Sequence, residues 1–171
     1  MQKLDLTQTK DIGQLIHRLD KEWMLVTAGT PEALGTMTAS WGSVGVLWNQ
    51  PMVTIFIRPE RHTYGFVEAE DRFSIAFFGP QWRDALAFCG KESGRDVDKV
   101  NACGFTVAEG AEGGVYFPEA ELVLICKKRY RDEITRDKMQ GFDPALYYNE
   151  KKGGLHTMYM GEIVEVYTKK D

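Results

Sequence analysis

The chain has 171 residues, 43% of them hydrophobic and 27% charged, with a formal net charge of −4. This size and balance fit one folded domain over residues 1–171 and exclude a disordered or fibrous chain. The negative sum excludes the positive field that nucleic acid or an anionic membrane demands, so any anion site has to be local.

The opening MQKLDLTQTKDIG is polar and charged, with no signal-peptide core, and no apolar run reaches the length of a bilayer span. A cytoplasmic protein is expected. Ile12, Leu15, Ile16 and Leu19 recur at helical spacing behind Thr9 as a cap, which predicts an amphipathic first helix. Residues 23–28 read as a strand. Residues 52–58 (MVTIFIR) and 73–78 (FSIAFF) are rich in β-branched and aromatic residues and are bounded by Pro or Gly, as barrel strands are. Residues 63–70 between them form a short helix.

Pro80 suits a first helical turn, Trp82, Ala85, Leu86 and Cys89 share one face, and Gly90 is the expected stop. Ser93 and Asp96 approximate a capping box, with Val97 and Val100 on one face and Gly104 closing a second helix. Residues 121–134 and 156–168 are long β-compatible segments; the charged run KKRYRDE in the first calls for a solvent face or a subunit contact. Residues 143–149 carry no clear pattern. Strands dispersed among short helices, without βαβ alternation, predict a mainly β, antiparallel barrel with helical insertions. Cys89, Cys103 and Cys126 are odd in number and lack C-x-x-C spacing, so buried thiols are expected rather than disulfides or a metal site.

The densest chemical signal lies in residues 36–63 (TMTASWGSVGVLWNQPMVTIFIRPERHT). Thr36, Met37, Thr38, Ala39, Ser40 and Gly42 form a small, hydroxylated stretch that lets a ligand approach main-chain N–H groups, and Trp41 offers a flat apolar face. On composition alone the same residues describe a tight turn between strands. Further on, Arg58 and Arg61 bracket Pro59, and Thr63 can cap the helix that follows. Together with that helix N-terminus they supply charge-assisted donors for a phosphate. The plainer alternative is two exposed arginines at a strand end, worth little to stability. A phosphorylated aromatic cofactor satisfies both halves. Residues 91–99 (KESGRDVDK) read as a capped, solvated helix start, which accounts for Ser93 and Lys99. His156 opens the alternating string HTMYMGEI, and no partner carboxylate is visible for it in sequence.

The ordered strings MTASWG, GVLW, RPERHT, CGKESGRDVDKV and HTMYMGEI resemble the FMN-binding split-barrel family of flavin reductase-like proteins, flavoredoxins among them, over nearly the whole chain. The resemblance implies an antiparallel FMN-binding split barrel, a homodimer, and FMN held without a covalent bond near the interface. It lays Met37, Thr38, Ala39, Ser40, Trp41 and Gly42 along the isoalloxazine, where N–H donors favour the charge that develops on reduction. It puts Arg58, Arg61 and Thr63 on the phosphate and makes Ser93, Gly94 and Lys99 further cofactor contacts. His156 faces the ring as the catalytic candidate, placing a nicotinamide or neutralising the reduced ring. The chain departs from the family at Gly35, where Asn is common, and at His62, where tyrosine is usual.

The implied function is an oxidoreductase that moves hydride from NADH or NADPH onto FMN and hands electrons to a small-molecule acceptor or a redox partner protein. The alternative is a non-enzymatic flavin-carrying electron-transfer module, which uses the same cofactor residues and has no nicotinamide pocket. No G-x-G-x-x-G follows a strand, so a Rossmann site is not expected. No Schiff-base lysine stands out for a pyridoxal-type ring.

Overall fold

The computed structural model describes residues 2–3 and 16–169. Strands in chain order are β1 (Gln2–Lys3), β2 (Met24–Gly29), β3 (Leu34–Ala39), β4 (Gly42–Leu47), β5 (Gln50–Ile57), β6 (Arg72–Phe77), β7 (Ala108–Glu109), β8 (Val115–Tyr116), β9 (Leu122–Glu133) and β10 (Thr157–Thr168). The α-helices are α1 (His62–Ala69), α2 (Arg83–Lys91) and α3 (Lys99–Cys103). The main sheet is antiparallel throughout, in the order β3-β2-β6-β9-β10-β5-β4 with β1 added to β10, while β7 and β8 pair apart from it.

The two ends of that path, β3 and β4, are consecutive in the chain and joined only through Ser40 and Trp41. Three virtual bonds reach at most about 11 Å, so the opposite edges of the sheet are forced together. The sheet therefore curls into a barrel, and its seam, where β3 and β4 do not pair, is the split.

Side-chain alternation fills both faces of the wall. Met24, Val26 and Ala28 of β2, Phe73, Ile75 and Phe77 of β6, and Leu124 and Cys126 of β9 join the interior cluster. Leu25, Ala76, Val123 and Ile125, one residue out of step, join an outer cluster with Leu86, Cys89, Phe105 and Phe117. A strand buried on both sides needs a nearly continuous apolar run, which β2 and β6 supply except at Thr27 and Ser74, whose hydroxyls bond the Thr36 hydroxyl and the Val115 carbonyl. Each fully buried apolar side chain contributes about 1.5–3 kcal/mol.

Several local expectations change. The segment around Met37–Gly42 is not a turn: it is the end of β3 and the start of β4, with only Ser40 and Trp41 outside the ladders. Of the first helix, Thr9, Ile12 and Leu15 lie outside the described residues; Leu19 is buried in a π-helical turn, Arg18–Glu22, and Ile16 is exposed. The strand predicted from Trp23 starts at Met24, because Trp23 takes a left-handed φ of 69°.

Gly90 does not stop its helix, which continues to Lys91 and ends at an extended Glu92. The helix expected from Ser93 begins at Lys99, capped by Asp98 accepting from the Asn101 N–H at 3.0 Å, and Gly104 in the left-handed region ends it as predicted. Thr63 is not the cap of α1; Arg61 occupies that position without a side-chain cap bond. Trp48 is exposed at the β4–β5 hairpin tip, where it and Asn49 both have positive φ. The run KKRYRDE is a solvent face with intrachain partners. Lys128 donates to the Val67 and Glu68 carbonyls at the C-terminal end of α1 at 2.6 and 2.8 Å, Arg129 to Glu162 at 2.7 Å and Arg131 to Glu68 at 3.2 Å.

Candidate functional site

Strand register assembles a cleft of about 280 Å³ at the seam. Thr157 pairs with Ile57, so the next residues outward, His156 and Arg58, emerge side by side at one end of the sheet. Gly42 pairs with Ile55 and Met24 with Ala39, which brings the Ser40 and Trp41 link to the same end. The walls are Met37, Thr38, Ala39, Ser40 and Trp41 from one edge, Phe56, Arg58 and Arg61 from β5 and its following turn, and His156 before β10. Gly42 has to be glycine here, because a Cβ would lie 2.7 Å from the Thr54 carbonyl oxygen and push β4 off β5.

Arg58 is anchored to the segment that runs from β9 to β10. Its Nη1 donates to the Gly154 carbonyl at 2.6 Å and its Nη2 to the Tyr147 carbonyl at 3.2 Å, and its guanidinium sits 5.4 Å from the Tyr148 ring centroid. Glu60 holds the same segment from the other side, its Oε1 accepting from the Gly154 N–H at 2.9 Å. Bonds from its own main-chain N–H and from that of Gly154 keep the Glu60 carboxyl below its usual range.

Arg61 donates through Nη2 to the Cys89 carbonyl at 3.3 Å, which Lys99 Nζ also reaches at 2.8 Å while bonding the Thr36 carbonyl at 2.9 Å. Cys89 lies in the last turns of α2, where carbonyls lack helical partners and the helix dipole is negative, so two cations gather there. Burial lowers the Lys99 pKa, but its carbonyl partners favour a charged ammonium.

His156 is buried, with its Nδ1 3.2 Å from the Tyr148 hydroxyl and its ring 5.1 Å from Trp41. Burial first, and then the positive charge of Arg58, drop its pKa to about 4, with Glu60 opposing. The imidazole is therefore neutral near pH 7. Thr38 donates its hydroxyl to the Leu86 carbonyl at 2.5 Å, so that group secures β3 to α2. Met37 sends its side chain into the core, leaving its main chain at the cleft.

The cleft thus gathers Met37, Thr38, Ala39, Ser40, Trp41, Arg58, Arg61 and His156 from the sequence candidates. Gly42, Thr63, Ser93, Gly94 and Lys99 are not among its walls. Thr63 is buried in the first turn of α1 against Gly35, and Ser93 Oγ accepts from the Arg95 N–H at 3.2 Å to close a local turn. Lys99 lines a neighbouring cavity of about 550 Å³. Sequence reasoning missed Phe56, Tyr147, Tyr148 and the role of Glu60; the paired tyrosines of YYNE were the one visible signal. The thiols are free, and burial pushes Cys89 up to about 12, so it stays protonated. Among the described residues no helix is long and apolar enough to cross a membrane.

Comparison with known proteins adds the family. The Flavin reductase like domain profile matches residues 16–171. No curated protein sequence matches the chain. Among solved structures, a flavoredoxin from Methanosarcina acetivorans is similar with a TM-score of 0.68 at 20% identity, over 99% of this chain and 77% of that one. An FMN-binding protein from Thermus thermophilus with bound p-hydroxybenzaldehyde gives 0.68 at 22% identity, over 99% of this chain and 83% of the other. An NADH:FAD oxidoreductase from Streptomyces globisporus, in complex with NAD and FAD fragments, gives 0.64 at 21%, over 97% and 87%. At these identities the structural likeness speaks for the fold.

Proposed function

The chain belongs to the flavin reductase-like domain family, and on that premise we propose that it is an FMN-binding oxidoreductase, taking hydride from NADH or NADPH onto bound FMN and passing electrons to an acceptor. The observation that carries this reading is that Trp41, Arg58, Arg61 and His156 share one cleft with the small-residue end of β3.

The donor set fits a phosphorylated planar ring. Each guanidinium retains N–H donors beyond those given to carbonyls, and the first turn of α1 follows Arg61 directly. Arg58 and Arg61 would hold the phosphate, and buried Thr63 would serve it by fixing that turn. Ala39 and Ser40 allow main-chain N–H groups close to the ring, and Trp41 covers it. His156, uncharged near pH 7, contributes a hydrogen bond at the ring rather than a positive charge. Lys99, tied to Thr36 and Cys89, holds β3 against α2 and so supports the cleft floor; Ser93 acts at the margin. Bound FMN supplies a ring that accepts hydride and gives electrons up again, which none of these side chains does alone. One domain over residues 1–171, working as a cytoplasmic homodimer, completes the reading. The exposed Val46 and Trp48 on edge strand β4 and its hairpin offer that dimer an apolar face.

The test is anaerobic visible absorbance of the FMN-loaded protein before and after NADH or NADPH. Bleaching faster than that of free FMN is expected. A flavin spectrum that neither nucleotide bleaches would refute the nicotinamide step and leave a flavin carrier.

A further inference from the structure

Tyr148 is not a wall of the cleft, yet it touches two residues that are. The Arg58 guanidinium sits 5.4 Å from its ring centroid, and the His156 imidazole meets that ring edge to face at 5.6 Å. Its hydroxyl lies 3.2 Å from His156 Nδ1. The residue is also held by its main chain: the Tyr148 N–H donates to the Pro144 carbonyl at 2.9 Å, and Arg136 Nη2 donates to the Tyr148 carbonyl at 3.0 Å. Tyr148 and His156 are both buried within one chain, so pairing with a second copy leaves their contact covered.

A phenol carries one proton, and a neutral imidazole has one nitrogen that donates and one that accepts, so the bond between them sets the tautomer. Burial raises the Tyr148 pKa, with Arg58 opposing, and the phenol keeps its proton near pH 7, where the imidazole is neutral. Among the described residues His156 Nδ1 is the one hydrogen-bond partner of that hydroxyl. Reversing the bond would strand a buried O–H, which costs more than the bond itself gains. Donation to Nδ1 puts the imidazole proton on Nε2. That nitrogen takes no partner among the described residues, and His156 is a wall of the cleft, so it is the nitrogen left for a ligand.

We infer that Tyr148 is a positioning residue: by donating to His156 Nδ1 it makes Nε2 a donor, so that the cleft offers an N–H, not a lone pair, to an acceptor atom of the bound ring. The inference rests on the flavin reading for the ring's identity, not for the tautomer. An N–H at this place stabilises negative charge that develops on the ring during reduction, whereas a lone pair would oppose it.

Nitrogen NMR of isotope-labelled histidine side chains tests this on the flavin-free chain near pH 7, with His156→Gln to assign the His156 signals among the three histidines. Wild type should show a neutral His156 with its proton on Nε2. Tyr148→Phe, which keeps a ring against Arg58, should move both nitrogens toward averaged shifts as the tautomers exchange. A proton on Nδ1 in wild type, or shifts that Tyr148→Phe leaves unmoved, would overturn the inference. Added FMN should shift the wild-type Nε2 signal. FMN that binds without moving it would overturn the donor role, whereas FMN that does not bind sinks the flavin reading and leaves the tautomer standing. In FMN-loaded protein, Tyr148→Phe should slow bleaching by NADH or NADPH about threefold to tenfold. In a His156→Gln background the same change should slow it less than about twofold, because the hydroxyl acts through the imidazole. Equal slowing in both backgrounds would mean a general structural loss and would overturn the positioning role.

Discussion

Against α2, Phe105 and Phe117 stack at 4.7 Å with their planes 17° apart, and Phe78 and Trp82 close around Phe105 at 5.4 and 5.3 Å. At the cleft mouth Trp41, Phe142 and Tyr147 meet edge to face and stay open to solvent. The same residue types thus serve as filling in one region and as surface in the other. What separates them is the sheet path: at β6 and β9 both faces are covered, whereas at the β3–β4 seam the path ends and, among the described residues, the rings stay uncovered.

The comparison breaks most visibly by truncation of a buried ring. Phe117→Ala should lower unfolding free energy by about 3–5 kcal/mol, read from denaturant midpoints; a loss under about 1 kcal/mol would mean that the stacked cluster is not core. At the cleft, Arg61→Ala should cost about 1.5–3 kcal/mol of FMN binding, roughly tenfold to a hundredfold in Kd, with the fold retained. Arg58→Ala should act in the same direction while also loosening the 147–154 segment. Unchanged affinity in both variants would remove the phosphate assignment.

A pH series sharpens the contrast. Folded His156 stays neutral down to about pH 4, while the unfolded side chain protonates below its ordinary 6.5. Between those values the unfolded state binds more protons, so stability falls as pH drops from about 6.5 to about 4 and is independent of this group above 6.5. On moving from pH 7 to pH 5, wild type should lose more denaturant resistance than His156→Gln; parallel losses would contradict the buried, neutral imidazole. The smallest effect belongs to the open ring: Phe142→Ala should change stability by no more than about 0.5 kcal/mol.

Much of the barrel was legible because β5, β6, β9 and β10 are β-branched and aromatic runs that the sheet buries. β3 and β4 were not, since Gly35, Gly42 and Gly45 carry little strand preference of their own and the ladders to β2 and β5 impose the conformation. α3 was misplaced because Ser93, Asp96 and Asp98 are all cap-type residues, and the bond from the Arg95 N–H to Ser93 Oγ spends the first of them on a turn. Trp41, Arg58, Arg61 and His156 were legible by residue type and by resemblance, and strand register then gathered them. The bond from Arg58 to the Gly154 carbonyl left no mark in the sequence, because it reaches a main-chain carbonyl 96 residues away, and any residue supplies one.

Whether the seam cleft holds FMN is read by a flavin fluorescence titration: FMN at fixed concentration, purified protein added in steps. A saturable change corresponding to a single site per chain is expected, shifted to higher protein concentration by Arg61→Ala. A fluorescence signal that never departs from that of free FMN, or a saturable change that Arg61→Ala and Arg58→Ala both leave unmoved, would contradict it.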